Sequence, residues 1–405
     1  MTSTDLGFLV IGILALAVAG LATVVARRFH RDEIFAGATP GTIPPDPHAP
    51  RERLRTQEYQ GEVAVAFSPP RGVSPGLVGT VVDGSVEARD LTAILVDLAV
   101  RGHLTITAVP ADEKPNPVRR KFARRPEPDG EPKTDWVLER ADRTPADALD
   151  GLESRLLDGI FAPGVEKVRM SQLDARGLQA LRQAQVDLYA GAVERGWYAR
   201  HPQQRGAGGG CLLLGLGFAF AALCLIARPA VGGIGAALMI VASTIWISRA
   251  IRGRTPRTAE GTAVRIQALG FKRYLATAEA DQFKFEEAAG IFSRYLPYAM
   301  VFGVAQHWAK TFGEVARAAK DVPGADVNFD LTWFDVAALS ALDTATDLLW
   351  LDALDGSFDL FDGDAFLAFG GDAVEGLSGF ATEIGDFMGS LDFLDGLGDG
   401  CDFDF

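Results

Sequence analysis

Three long uncharged stretches limit what this chain can fold into. Leu6 to Ala26, "LGFLVIGILALAVAGLATVVA", holds no ionisable side chain. At about 1.5 Å per helical residue, such a run crosses the roughly 30 Å hydrocarbon core of a bilayer. Ala207–Ala227 and Ala230–Ser248 are equally free of charge and are separated by Arg228-Pro229. The pattern predicts one transmembrane helix at 6–26 and a transmembrane hairpin at 207–248. A cleaved signal peptide is the alternative for the first run. It fits poorly, because "MTSTD" has no Lys or Arg while Arg27, Arg28 and Arg31 follow the apolar run. That order places the N-terminus outside. Arg205 before the hairpin, and Arg249, Arg252, Arg254 and Arg257 after it, put both its ends inside. Residues 27–205 and 249–405 are thus expected in the cytoplasm of a multi-pass protein of the cell membrane. The runs contain no Asp, Glu, Lys or His, which argues against a proton relay or ion pathway.

Charge divides the chain further. Lys and Arg number 39 and Asp and Glu 53, a net −14. From Asp321 onward there is no basic residue, so the acidic excess lies in the tail and the preceding body is mildly basic. Cys211, Cys224 and Cys401 show neither CxxC spacing nor an even framework. Neither a disulfide scaffold nor a zinc site is supported. The five histidines form no close pair with metal spacing.

Between the first run and the hairpin, a Pro- and Thr-rich linker over 27–58 gives way to patterned sequence. "EVAVAF", Glu62–Phe67, alternates as a weak strand. Leu91, Ile94, Leu95 and Leu98 fall on one helical face, with Asp90 as N-cap and Gly102 as the stop. "HLTITAV" reads as a strand and "DWVLER", Asp135–Arg140, as its return. Helix, strand, loop, strand is the order of a winged helix, here over 59–143. The helix is expected to expose Arg89, Thr92, Asp97 and Arg101. A similar order recurs over 144–205: Leu152, Leu156, Leu157, Ile160 and Phe161 form one face, "VEKVRMSQL" is a short strand with Ser171 as a cap, and Leu178–Arg195 is a helix stopped by Gly196. The endings "LAVRGHL" and "AVERGWY" match.

These stretches, with "PPRGVSPGLVGTVVDGSVEARDLTAILVDLAVRGHLTI", "LLDGIFAPGVEKVRMSQL" and "GFKRYLATAEADQFKFEEAAGIFSRYLPYAMVFGVAQHWAKTF", resemble the C-terminal half of bacterial predicted membrane proteins, domain of unknown function 2207. The resemblance spans roughly Glu62 to Phe312. Such proteins usually carry a signal peptide and a large outward β-domain first, whereas a single span precedes the cytoplasmic part here. Their tails are Gly- and Ser-rich, and this one is acidic and aromatic. The resemblance implies membrane topology and brings no activity with it.

Residues 258–320 read as cytoplasmic amphipathic helices with a break at Leu296-Pro297 and a packed or solvated His307. The tail, 321–405, alternates Asp with Phe and Leu, as in "FDLFDGDAFLAF". That is the composition of a disordered interaction segment. It lacks the ligand order of a calcium loop.

The expected fold is therefore an α+β integral membrane protein: one N-terminal transmembrane helix, two winged-helix-like cytoplasmic domains, a transmembrane helical hairpin, a helical segment and a disordered acidic tail. The expected function is that of a non-enzymatic, membrane-anchored scaffold or interaction protein, with a protein partner for the tail and the bilayer as its setting. No GxSxG, Walker loop or HExxH is present, and no catalytic, cofactor or metal residue is assigned. The alternative is a membrane-tethered nucleic-acid-binding protein. Arg119, Arg120, Lys121, Arg124 and Arg125, in the polar excursion between the strands, are the candidate contacts for anionic lipid or nucleic acid. The tail is a further candidate for that loop. Against base reading, a recognition helix places Arg, Asn or Gln toward base edges, and Asp97 repels phosphate.

Overall fold

The computed structural model describes residues 30–110, 134–141, 147–202, 255–278 and 285–311 (306 and 309 excepted), residues 334–335, and scattered positions in 10–21 and 237–242. The basic loop, most of both apolar regions and nearly all of the tail lie outside the described residues.

Among the described residues no helix is long and apolar enough to cross a membrane. This corrects the expected fold of an integral membrane protein with spanning helices: the described architecture is mixed α/β. The longest described helices, neither of them an expected span, are charged along their length. Ala175–Glu194 carries Arg176, Arg182, Asp187 and Glu194, and Ala259–Thr277 carries Glu260, Arg265, Lys272 and Arg273. Charges at that density are too costly to place in hydrocarbon.

The chain divides into two compact units: 1–61 with 195–263 and 392–405, and 62–194 with 264–391. In the first, Glu33–Phe35 (β1) pairs antiparallel with Arg51–Arg53 (β2), Ile34 opposite Glu52. Tyr198 bridges Arg257. The start of helix α5 (Ala259–Thr277) belongs here, and Arg51 meets Glu260 at 2.7 Å.

The second unit is built around one helix. α1 (Pro75–Asp83) opens on a proline and closes on Gly84 at φ +79°; proline suits the first turn and glycine the left-handed exit. α2 (Ala88–Val100) follows. Its N-cap is Glu87, one turn ahead of the expected Asp90. Asp90 sits at the third helical position, where it and Glu87 bond each other's backbone reciprocally. The helix ends as expected: Gly102 has φ +84°, and the N–H groups of Gly102 and His103 return to Ala99 and Leu98.

Strand β3 (Leu104–Pro110) pairs antiparallel with β4 (Thr134–Arg140), Leu104 opposite Arg140 and Pro110 opposite Thr134. α3 (Gly151–Ile160) is followed by β5 (Lys167–Arg169), which adds to β4 with Leu138 opposite Val168. The two stretches read as separate helix–strand modules thus share one sheet. Its order is β5-β4-β3-β6, where β6 (Phe334–Asp335) lies parallel to β3. α4 (Ala175–Glu194) begins after a single 3-10 turn, Met170–Gln172. Its cap is Asp174, which accepts the Gly177 N–H at 2.8 Å, and not Ser171.

Glu62–Phe67 forms no ladder. It runs extended against α5 instead, where the Ala66 N–H donates to Gly270 O at 3.1 Å and Arg273 Nη1 donates to Val63 O at 3.1 Å. A Cβ on Gly270 would stand 2.4 Å from the Ala64 carbonyl oxygen, so the approach needs glycine. α6 (Phe285–Val301) continues through Pro297 where a break was expected. The helix survives because its far side is packed: Leu296, Tyr298, Ala299 and Val301 are buried, and the Tyr298 hydroxyl donates to Val73 O at 2.9 Å. Phe271 meets Tyr295 and Tyr298 edge-on at 4.9 and 5.7 Å, an aromatic core between α5 and α6. His307 is exposed, and Trp308 beside it is fully buried.

Candidate functional site

The helix that resembles a recognition helix is enclosed along most of its length. Asp90, Leu91, Thr92, Ala93, Ile94, Leu95, Val96, Leu98 and Ala99 are all buried. α1 and α6 pack against it, with α4 and β3 completing the enclosure. Full burial of Leu91, Leu95 and Leu98 contributes about 1.5–3 kcal/mol each. Thr92, expected on the surface, turns its hydroxyl back to Ala88 O at 2.9 Å. Arg89 is half-exposed and held by Asp83 and Glu87 at 3.3 and 3.0 Å. The helix therefore has no free face to lay in a groove.

Its C-terminal end carries a compact ionic cluster. Arg101 lies 3.0 Å from Asp97, four residues back, and 2.6 Å from Asp147. Its third partner is Glu153. His103 Nε2 stands 3.2 Å from the other oxygen of Asp147. Glu153 is positioned by a capping box with Asp150 at the start of α3. The cluster ties the end of α2 to the start of α3. Burial pushes the Asp97 carboxyl up to about 6, with Glu153 adding repulsion and Arg101 opposing both. Burial also disfavours the charge on Asp147, but the hydrogen bonds and charges of Arg101 and His103 together outweigh it and hold that carboxyl below its usual range. Burial works against the Arg101 charge too, and its three carboxylate partners raise its pKa nonetheless.

At the other end of α2, Asp90 is pushed up to about 8 by burial, partly offset by the bond from the Glu87 N–H at 2.8 Å. Its Oδ1 is buried without a hydrogen-bond partner. Asp90 and Asp97 lie two turns apart on one helix and gain or lose protons near neutrality. The arrangement can change charge inside the unit with pH. The Arg101 guanidinium is the cation that Asp97, Asp147 and Glu153 already hold. Among the described residues no group of His, Cys, Asp or Glu is arranged to hold a metal ion.

The first unit holds a second buried pair. Arg257, expected among the basic residues flanking the hairpin, has a fully buried side chain 3.1 Å from the equally buried Asp32. Glu58 lies 3.3 Å away, and the Arg257 guanidinium lies 5.7 Å from the centre of the Tyr198 ring.

The residues singled out from the sequence, Arg119, Arg120, Lys121, Arg124 and Arg125, lie outside the described residues. The groups that the structure gathers instead left partial signals. Asp97 and Arg101 have i,i+4 spacing, and "DGLE", Asp150–Glu153, is a capping-box pattern. Nothing local links the two.

The helix–strand unit and α5–α6 are also what comparison with known proteins picks out. The model of a family described as predicted membrane protein (DUF2207), C-terminal domain, matches residues 64–312, more than half of the chain. The chain belongs to this family. The DUF2207 match begins within two residues of the Glu62 expected from the sequence and ends at Phe312. It supports a membrane location. No curated protein and no solved structure matches this DUF2207 chain.

Proposed function

We propose that this DUF2207 protein is a non-enzymatic interaction protein working at the cytoplasmic face of the cell membrane, with a winged-helix-like module turned to protein and lipid contacts. The observation that carries the reading is the enclosure of α2, whose residues from Asp90 to Ala99 are buried apart from Asp97. A groove-reading helix needs an exposed face of donors. Here that face packs against α1 and α6, and Arg101 serves Asp97, Asp147 and Glu153. The basic body suits the anionic inner leaflet, and Arg119, Arg120, Lys121, Arg124 and Arg125 are the contacts we assign to lipid headgroups. The acidic tail supplies a segment for a protein partner.

Two measurements test this. Purified full-length protein should show no low-salt binding to duplex DNA in fluorescence anisotropy. Salt-sensitive binding would favour the membrane-tethered nucleic-acid reading instead. Cross-linking in membranes, with and without residues 321–405, should recover a protein partner that depends on the tail. Identical recovery from both forms would remove the tail from the proposal.

A further inference from the structure

Strand β3 has β4 along one side over all of Leu104–Pro110. On its other side lies β6, with Ile106 opposite Phe334 and Thr107 opposite Asp335 in parallel register. An edge strand presents a row of N–H and C=O groups that can template another strand, and proteins guard such edges with charges, internal prolines or bulges. β3 has none of these. "LTITAVP" carries no charge, its proline is the last residue, and its register with β4 is unbroken. The residues that reach it come from the front of the acidic tail, beyond the last basic residue, Lys320. Thr332-Trp333-Phe334 is a run of three strand-favouring side chains.

We propose that the edge of β3 opposite β4, where Ile106 and Thr107 pair with Phe334 and Asp335, is a strand-docking site whose resident strand is the chain's own tail. Main-chain hydrogen bonds give such docking its affinity, and side chains at alternate positions give its selectivity. Tethering makes the tail a high-concentration competitor for any other extended segment seeking that edge. The segment chemistry that fits is an extended stretch with an aromatic residue next to an acidic one, as in Phe334-Asp335. The inference goes beyond the interaction-protein reading and does not depend on membrane attachment.

Full-length protein with Cys211, Cys224 and Cys401 changed to Ser tests it. Into this background go Thr107→Cys and Asp335→Cys, whose strands lie roughly 4.8 Å apart, inside the Cα range that a disulfide bridges. The control pair is Thr107→Cys with Asp347→Cys. Mild oxidation and peptide mapping should give roughly tenfold more intramolecular linkage for the first pair than for the control, as a fixed register requires. Equal yields would overturn the proposal, and so would linkage found only between two copies. Asp335→Pro in the otherwise natural chain supplies a second reading, because proline removes the amide. Hydrogen exchange over 104–110 should become roughly tenfold faster, and a synthetic peptide covering residues 328–340 should slow it again. Unchanged exchange would also overturn the proposal.

Discussion

The carboxyl group of Asp90 lies directly against Gly79: a Cβ built on that glycine would stand 2.1 Å from Oδ1 and 2.5 Å from the carboxyl carbon. α1 and α2 touch here with no room for a methyl group. The contact helps to bury Asp90 and raise its pKa.

Gly79→Ala is therefore expected to destabilise the protein by about 2–4 kcal/mol. In an exposed helix the same change stabilises by about 1 kcal/mol; here overpacking reverses the sign. Thermal melting followed by circular dichroism measures this. A variant that melts at or above the parent temperature would show that the two helices separate easily.

The Asp90 carboxyl titrates near 8 in the folded chain against a reference of 3.8. The folded state thus holds the proton more tightly. The stability that this contributes is fully present below about pH 3.8 and is lost as pH rises through about 8. Asp90→Asn keeps an acceptor for the Glu87 N–H and has no proton to lose. Its melting temperature is expected to exceed that of the parent at pH 8.5, with the gap closing toward pH 5. Parallel profiles from pH 5 to 9 would refute the assignment.

Arg101→Met leaves Asp97, Asp147 and Glu153 without their shared cation. The expected loss near pH 7.5 is about 3 kcal/mol, the scale for removing one partner of a desolvated ionic group. The carboxylates then gain protons more readily, so the loss should shrink toward pH 5. Urea titrations at the two pH values measure the difference. An equal loss at both would mean that packing of the arginine stem matters more than its charge.

In the first unit, Arg257→Met strands the buried Asp32, at a cost of about 3–5 kcal/mol. Asp32→Asn added to it removes the stranded charge and still accepts the Arg257-position backbone N–H, now at 2.8 Å. The double variant should recover most of the loss in a thermal melt. No recovery would argue that the guanidinium's place over Tyr198 outweighs the ion pair.

Much of the local structure was legible. The spacing of Leu91, Ile94, Leu95 and Leu98 marks a helix, Gly102 marks its end, and "DWVLER" marks the return strand. The misplaced features are those where a distant segment intervenes. Glu62–Phe67 looks like a strand and instead lies on Gly270. Pro297 looks like a break and lies inside α6, where its neighbours Leu296, Tyr298 and Ala299 are buried. Thr92 and Arg257 have polar side chains that belong on a surface by type, yet both are buried.

Periodicity and turn chemistry act over a few residues, so the sequence by itself determined that α2, β3 and β4 form and that α2 stops at Gly102. It also determined the charge split between body and tail, which needs only counting. Which groups are taken out of water was decided by the tertiary structure. Glu153 comes to Arg101 from 52 residues away, and Asp32 comes to Arg257 from 225. No local pattern encodes such pairings, because desolvation depends on everything that packs around a side chain and not on its neighbours along the chain.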